Sequence, residues 1–254
     1  MGSADGRSPA PREVWYSAGS QRFRGYVIDG SGGRPAPGIL VLHEGGGLVE
    51  RTLDQARLFA DQGYVAYAPD LFGCQPEALD DVLAVIEGLM TGYEELRART
   101  SAALSVLAEH PHVDPHRMAA VGYCFGGQAA LELGRSGADL RAIVGFHTPL
   151  ECRSGHDTDT IRARVLICNG DRDPYAPLAE NAKFLSVLAS AGVDCQLLLM
   201  GNVFHSYTNP ACQDFGVPGC KYDARAARRA LRTALGLLEE VFADTAAEPT
   251  LQEG

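Results

Sequence analysis

The amino-acid sequence predicts an α/β domain in which a mostly parallel sheet carries helices on both faces. Short apolar runs of strand length alternate with helical patterns from residue 24 onwards. Strands that alternate with helices in this way pair in parallel, because each helix carries the chain back across the sheet. The predicted strands are 38–43, 64–68, 117–121, 140–146, 163–168 and 196–200, and the predicted helices are 52–62, 80–90, 94–109, 128–133, 178–191 and 224–243.

Local signals support these elements in chain order. The run 38–43 is apolar enough for a buried strand, and a glycine loop follows it. The first helix ends at Gly63, and the next strand ends at Pro69, which has no backbone N–H to donate. The segment 71–92 is predicted to be an excursion that contains one helix between turn signals. Apolar runs define the later strands, and the helix 224–243 closes the domain.

Length and composition indicate one domain, which we assign to residues 21–243. The chain has 254 residues and is 46% hydrophobic, enough for a sizeable core. The stretch 1–20 is rich in Gly, Ser, Ala and Pro, and 244–254 is polar, so both are predicted to be flexible tails. Neither a signal peptide nor a membrane anchor is expected, because the N-terminal stretch has no apolar run.

Charge and cysteine content exclude several classes of function. The chain has 22 basic and 32 acidic residues, a net charge of −10, and no Lys or Arg block interrupts it. We therefore expect no binding to nucleic acid or to anionic membranes. The seven cysteines form no C-x-x-C pair, and their odd number predicts reduced thiols in a cytoplasmic protein. We expect a monomer or a homodimer.

Three histidines lie close together in the sequence, at His110, His112 and His116. Their surroundings, with Pro111 and Pro115 between them, are typical of a solvated loop rather than of a zinc site. The sequence therefore predicts no metal site and no cofactor.

The segment 122–127, Gly-Tyr-Cys-Phe-Gly-Gly, has the pattern of a nucleophile elbow with Cys124 at its apex. A strand leads into it and a helix leaves it, and Gly122 and Gly126 suit a turn where backbones approach closely. The N-terminus of that helix favours a thiolate, and the amide of Phe125 can receive an oxyanion. The alternative is a glycine-rich turn around a structural cysteine.

Two later strand ends offer partners for this thiol, because functional groups gather beyond the carboxyl ends of parallel strands. Asp171 and Asp173 follow the strand 163–168, and His205 follows the strand 196–200. An imidazole is needed to take the thiol proton, and an acid is needed to orient the imidazole. The order nucleophile, acid, histidine is that of an α/β-hydrolase fold. Taken singly, His205 suits a surface loop and Asp173 an Asx turn before Pro174.

Several segments together resemble the dienelactone hydrolase family, a branch of the α/β-hydrolase fold. The resemblance runs from about residue 43 to residue 209. It rests on motifs at 43–48 (HEGGGL), 63–66 (GYVA), 68–73 (APDLFG), 122–127 (GYCFGG), 173–177 (DPYAP) and 205–210 (HSYTNP).

The resemblance implies a catalytic triad of Cys124, Asp173 and His205. It favours Asp173 because the acid turn of the family has the form D-x-x-x-P, which leaves Asp171 as a turn former or a supporting residue. It also implies that Glu44 lies near the thiol and modulates it.

The same resemblance implies that the amides of Gly45 and Phe125 form the oxyanion hole. His147 follows a strand end where the family often has a histidine, and its role is open between facing the pocket and structural hydrogen bonding.

One position departs from the family pattern. Well-known dienelactone hydrolases hold the carboxylate of their lactone with arginines, one of them four residues after the catalytic histidine, where this chain has Asn209. The change removes a charge-assisted contact, so muconolactone-type substrates are less favoured than other esters or lactones. Arg99, Arg135 and Arg153 are the candidate replacements.

The resulting hypothesis is a cysteine-dependent hydrolase that cleaves a small ester or enol-lactone through an acyl-thioester. Two alternatives stay open. One is an acyltransferase or thioesterase of a biosynthetic pathway, which uses the same acyl-enzyme. The other is a hydrolase scaffold that binds a small ligand without catalysis. A redox role for Cys124 is weaker, because no resolving cysteine lies nearby in the sequence.

Overall fold

The computed structural model describes residues 9–150 and 160–244, which form an eight-stranded sheet with helices on both faces. The strands are β1 (Arg12–Ala18), β2 (Gln21–Asp29), β3 (Ala36–Leu42), β4 (Val65–Pro69), β5 (Val113–Tyr123), β6 (Ala142–Phe146), β7 (Arg164–Gly170) and β8 (Cys195–Met200). The helices are α1 (Glu50–Ala60), α2 (Leu79–Met90), α3 (Glu94–Ala108), α4 (Phe125–Arg135), α5 (Leu178–Ser190) and α6 (Ala224–Ala243), and a 3-10 turn spans Cys212–Phe215.

The strand order across the sheet is β1-β2-β4-β3-β5-β6-β7-β8. Six neighbouring strands are parallel to one another: β4, β3, β5, β6, β7 and β8. In contrast, β1 and β2 form an antiparallel hairpin, and β2 pairs antiparallel with β4. The predicted α/β class with a mostly parallel sheet is confirmed. The carboxyl ends of all the parallel strands lie on the same side of the sheet, so the loops that follow these strands come together there.

The apolar core is divided by the sheet, and β3 shows how. Leu40 and Leu42 join a cluster that includes apolar side chains of α3 and α4. Ile39 and Val41 point the other way, into a cluster with α1 and α6. This alternation follows from the period of a strand and buries residues 38–42 of β3 on both faces. The central strands are thereby a rigid support for the loops at their carboxyl ends.

The prediction that residues 1–20 are a flexible tail is wrong for part of that stretch. Residues 12–18 form β1, which pairs along its whole length with β2. Tyr16 is the buried residue of β1; its ring stacks on Phe23 at 5.3 Å and its hydroxyl donates to the carbonyl of Asp70. One buried ring gives a weak apolar signal, and the backbone pairing that stabilises the strand is invisible in composition.

The last helix ends at Ala243, where the sequence predicted its end, and Asp244 forms an ion pair with Arg164 at 2.9 Å. The rest of the predicted C-terminal tail lies outside the described residues, as do residues 1–8 of the N-terminal one. No helix among the described residues is long and apolar enough to cross a membrane. The six cysteines within the described ranges are all free thiols, while Cys152 lies outside them.

The excursion predicted at 71–92 contains α2, which lies over the glycine loop that follows β3. A methyl group placed on Gly45 would be 3.0 Å from Val82 Cγ1 and 3.7 Å from Ile86 Cδ1. Most other residues of α2 are exposed or partly exposed, including Leu83. The helix therefore forms one wall above the edge where the parallel strands end.

Candidate active site

Cys124 lies in a strained turn between β5 and α4. Its backbone has φ of 51° and ψ of −118°, a conformation that L-residues rarely adopt and that costs of order 1–3 kcal/mol. A Cβ on Gly122 would lie 2.0 Å from the carbonyl oxygen of Gly126, and one on Gly126 would lie 2.2 Å from that of Leu42. Both glycines are therefore required sterically, and the predicted strand–turn–helix context of the elbow is confirmed.

A buried histidine and a buried aspartate are aligned with this thiol. Nε2 of His205 lies 3.2 Å from Sγ of Cys124, and Nδ1 of His205 lies 2.7 Å from Oδ2 of Asp173. Asp173 and His205 are each 3% exposed. The three residues come from loops after β5, β7 and β8, so the carboxyl edge of the sheet brings them together. The geometry is that of a nucleophile, a base and an orienting acid.

Asp171 has a different position from Asp173, although only one residue separates them. Its Oδ1 accepts a hydrogen bond from the amide of Val203 at 3.3 Å, which ties the loop after β7 to the loop after β8. Asp173 accepts from the amide of Tyr175 with one oxygen and faces His205 with the other. Of its two predicted roles, Asp171 thus has that of a supporting residue between two loops.

The electrostatic surroundings of His205 favour its charged form when Cys124 carries a negative charge. Burial acts to lower its pKa, but the negative charge available at Cys124 and the hydrogen bond to Asp173 outweigh burial and raise the pKa to about 10. The ring of Tyr175 packs edge-on against the imidazole with 4.8 Å between centroids. An imidazolium held between a sulfur and a carboxylate matches the state that follows proton transfer from a thiol.

Glu44 lies just after β3, buried at 9% exposure. Burial raises the pKa of its carboxyl, and the charges of Arg51 and His205 together with a hydrogen bond from Asn209 act in the opposite direction. That bond runs from Asn209 Nδ2 to Oε1 of Glu44 at 2.8 Å. Among the described residues, no other hydrogen bond reaches this carboxyl, and none joins Glu44 to the Cys124 thiol. The modulation of the thiol by Glu44 therefore stays a prediction, and it would act through charge.

Arg51, on α1, is a charged residue of this region that the sequence analysis missed. Its Nη2 donates to the carbonyl oxygen of Thr208, three residues after His205. Its Nε is buried without a hydrogen-bond partner in the described part of the chain. The guanidinium is close enough to lower the pKa of Glu44 and of His147. No local motif marks it, because the contact with Thr208 is long-range.

Two of the candidate replacement arginines are occupied elsewhere. Arg99 is buried and donates to the carbonyl oxygens of Leu71 and Phe72, beneath the start of the excursion. Arg135 pairs with Glu132 on its own helix at 2.8 Å. Arg153 lies outside the described residues. In the described part of the chain, Arg51 is an arginine near the site, and it is bound to the backbone carbonyl of Thr208.

His147 follows β6 with φ of 40° and is fully buried. Its Nε2 lies 2.8 Å from the hydroxyl oxygen of Thr208, and its ring centroid lies 5.1 Å from that of His205. Burial, His205 and Arg51 all lower its pKa well below the usual value, so the ring is neutral. The ring therefore makes a buried hydrogen bond, as one of its two predicted roles requires, and packs against the His205 ring.

The two predicted oxyanion donors lie on segments that touch each other. Phe125 is the first residue of α4, where a backbone amide has no partner within the helix. Gly45 belongs to the loop after β3, and the end of β3 packs against the first turn of α4 at Gly126. The Phe125 amide therefore lies at the elbow, and Gly45 stands three residues after Leu42, while the role of the two amides as an oxyanion hole stays a prediction.

The architecture and the elbow together place the chain in the α/β-hydrolase fold, and comparison with known proteins narrows this class. A dienelactone hydrolase-like promiscuous phosphotriesterase from metagenomic libraries is 36% identical, with a TM-score of 0.87 over 91% of this chain and 98% of its own. A Bradyrhizobium protein named "Probable 2-oxo-3-(5-oxofuran-2-ylidene)propanoate lactonase" is 28% identical over 69% of this chain and 76% of its own. Residues 23–242 match the dienelactone hydrolase family. The chain belongs to that family of ester and lactone hydrolases.

Proposed function

We propose that the protein hydrolyses a small carboxylic ester or enol-lactone through an acyl-thioester on Cys124. The observation that supports this most strongly is the continuous line of contacts from Sγ to His205 and from His205 to Asp173, at 3.2 and 2.7 Å. A thiol at its ordinary pKa is a few per cent thiolate at neutral pH, so a base within hydrogen-bond reach is what makes it a nucleophile.

In the acylation step, Sγ of Cys124 bonds to the acyl carbon while its proton passes to Nε2 of His205. The carbonyl π electrons move onto oxygen, and the amides of Gly45 and Phe125 receive the oxyanion. When this intermediate collapses, the carbon–oxygen bond of the ester breaks, and the leaving oxygen takes the proton from His205. Asp173 holds the imidazole in the required tautomer throughout.

In the deacylation step, His205 removes a proton from water, and the resulting hydroxide attacks the thioester carbon. The carbon–sulfur bond then breaks, a carboxylic acid leaves, and the thiol regains its proton from the imidazolium. For a lactone the leaving oxygen stays attached to the acid, so a single ring-opened product results.

The charges around the thiol support an uncharged substrate. Asn209, a neutral residue, stands where an arginine would bind a substrate carboxylate, and it donates to Glu44. The Arg51 guanidinium donates to the Thr208 carbonyl. An uncharged acyl group therefore suits this site better than a carboxylate-bearing lactone. Val82 and Ile86 of α2 lie over Gly45, which favours small acyl groups.

The test is a panel of aryl esters, dienelactone and acyl-thioesters, assayed with wild-type protein and with Cys124→Ala. Mass spectrometry of the quenched reaction should find one acyl adduct, on Cys124. Cys74→Ser removes an exposed thiol and is the matched control, which should keep both turnover and adduct. Turnover by Cys124→Ala at the wild-type rate would overturn the proposal.

The same experiment separates the alternatives. An acyltransferase forms the Cys124 adduct but releases more product when an alcohol or amine is added, whereas a hydrolase is limited by water alone. A binding scaffold gives ligand-dependent stabilisation without adduct or turnover.

A second candidate activity is hydrolysis of phosphotriesters. It is favoured by the 36% identity and TM-score of 0.87 with the promiscuous phosphotriesterase. An uncharged phosphotriester has no carboxylate, which fits a site with Asn209 at that position. Adding an aryl dialkyl phosphate to the panel tests it, with a phosphorylated Cys124 as the expected adduct.

We further propose a cytoplasmic location, as a monomer or homodimer that binds no nucleic acid. The support is the free state of the six described cysteines and the net charge of −10.

A further inference from the structure

A second cluster of titratable side chains lies far from the thiol, at the opposite end of the strands. Asp29 is the last residue of β2, and His110 and His112 lie in the turn between α3 and β5. The strand pairing locates them: Asp29 pairs with Val65 at the start of β4, and the residue after His112 begins β5. The cluster therefore sits at the amino ends of the parallel strands, whereas Cys124 sits at their carboxyl ends.

The three side chains converge. One ligand atom from each of Asp29, His110 and His112 lies within 4.8 Å of the other two. Nδ1 of His112 is 2.6 Å from Oδ2 of Asp29. His110 accepts a long hydrogen bond of 3.3 Å from the backbone amide of His112. A tetrahedral zinc ion with ligand bonds of about 2.0–2.2 Å separates its ligand atoms by roughly 3.4 Å, so small rotations bring these atoms to coordination distance.

Neighbouring residues hold the carboxylate of Asp29 in place through one of its oxygens and leave the other oxygen free to face the histidines. Oδ1 of Asp29 accepts from both the amide and the hydroxyl of Ser31, at 3.0 and 2.6 Å, so Oδ2 is turned toward the histidines. Such outer contacts orient metal-binding carboxylates. All three residues are partly exposed, which gives an ion a route in.

The charges near the cluster are mixed but suit a cation. Helix α3 ends at Ala108, and the negative end of its dipole faces the turn that carries His110. The carboxylate of Asp29 lies close to both imidazoles and also favours a cation there. The charge of Arg12, on β1, acts in the opposite direction.

We propose that Asp29, His110 and His112 form a binding site for a divalent transition metal of the zinc type, with water completing the coordination. Two imidazoles and one carboxylate are a ligand set that Zn²⁺, Co²⁺ and Ni²⁺ accept and that Mg²⁺ and Ca²⁺ do not prefer. The ion displaces the proton shared by His112 and Asp29, which leaves to solvent. It joins β2 to the turn between α3 and β5 and so stabilises the fold. This departs from the sequence-based expectation of no metal site, because Asp29 is 83 residues from His112.

The test is calorimetric titration of the untagged, metal-free protein with ZnCl2, together with absorption spectra of the Co²⁺ complex. We expect one site, d–d bands without a thiolate charge-transfer band, and a rise in Tm with Zn²⁺. His110→Gln and His112→Gln should each weaken this binding by more than the roughly 10- to 100-fold that follows loss of an outer-shell partner.

His116→Gln is the matched control, because this histidine is exposed on β5, four residues after His112, and lies outside the cluster. It should bind Zn²⁺ as the wild type does. Glutamine at 112 keeps a donor for Asp29, and melting curves of the metal-free variants check that the fold is intact. No binding by the wild type, undiminished binding by His110→Gln and His112→Gln, or a thiolate band would each overturn the proposal. Ester turnover is not the readout, so these outcomes are independent of the proposed function.

Discussion

Asn209 donates a hydrogen bond to Glu44 across 2.8 Å, although 165 positions separate the two residues. The contact connects the loop after β3 with the segment that carries His205, so it fixes two sides of the site relative to each other. Its donor is a neutral amide, which supports the carboxyl without neutralising its charge as an arginine in contact would. The protonation state of Glu44 is therefore sensitive to burial and to the charge of Arg51.

Replacing Glu44 with Gln should make the thiol more reactive and the enzyme slower. Glutamine keeps an acceptor for Asn209 but removes the negative charge that opposes a thiolate at Cys124. We expect alkylation by iodoacetamide near neutral pH to accelerate by up to about tenfold, which corresponds to one pKa unit. Ester turnover should fall, because the organisation of the site is disturbed. Alkylation rates across pH provide the measurement.

Glu77→Gln, at an exposed glutamate, is the control for that experiment and should leave both rates unchanged. An unaltered alkylation profile in Glu44→Gln would mean that Glu44 does not influence the sulfur.

The raised pKa of Glu44 also predicts how stability depends on pH. A carboxyl whose folded pKa is raised binds more protons in the folded state, so its contribution to stability is present below the unfolded pKa of about 4.3. That contribution is lost as pH rises through the folded pKa. The free energy of unfolding of Glu44→Gln minus that of the wild type should therefore increase as pH rises above about 4.3. Urea unfolding at several pH values measures it, and a difference that falls with pH would contradict the direction of the shift.

The two aspartates after β7 should differ sharply in their effect on rate. Asp173→Asn should lower kcat by up to about 10⁴-fold, the loss known for the best-studied serine triad, because the amide favours the wrong tautomer of His205. Asp171→Asn should cost far less, since Asp171 contacts a backbone amide and not the imidazole. Steady-state kinetics of the pair decide this, and similar losses would show that the acid has been misassigned.

The elbow makes a prediction about stability that is separate from chemistry. Gly126→Ala brings a methyl group against the carbonyl of Leu42, a backbone atom that no rotamer change can move, and should destabilise the protein by about 3 kcal/mol. Gly236→Ala lies in an exposed turn of α6 with nothing within 4 Å and should stabilise it by up to about 1 kcal/mol. Thermal melts of both variants compare them, and equal effects would be inconsistent with the packing at the elbow.

Features that depend on neighbours in sequence could be predicted, and those that depend on distant residues could not. The elbow is a local pattern, since Gly122 and Gly126 stand two residues on either side of Cys124, and its strand and helix flank it directly. The choice of Asp173 and His205 needed both the chain order and a family motif. Arg51 gave no signal, because nothing near residue 51 indicates that Thr208 will lie beside it. β1 was missed for the same reason, as its partner strand supplies its stability.

The position of α2 has a consequence for how this enzyme can diversify. The helix covers Gly45 through Val82 and Ile86, yet Leu89 and Met90 are its buried residues and most of its other side chains face outward. The proposed reacting groups, in contrast, are carried by loops after three strands of the central sheet. Substitutions along 79–86 can therefore reshape the entrance without disturbing the thiol, the imidazole or the carboxylate. A library of variants restricted to that segment could therefore be screened for new substrates while the proposed reacting groups stay the same.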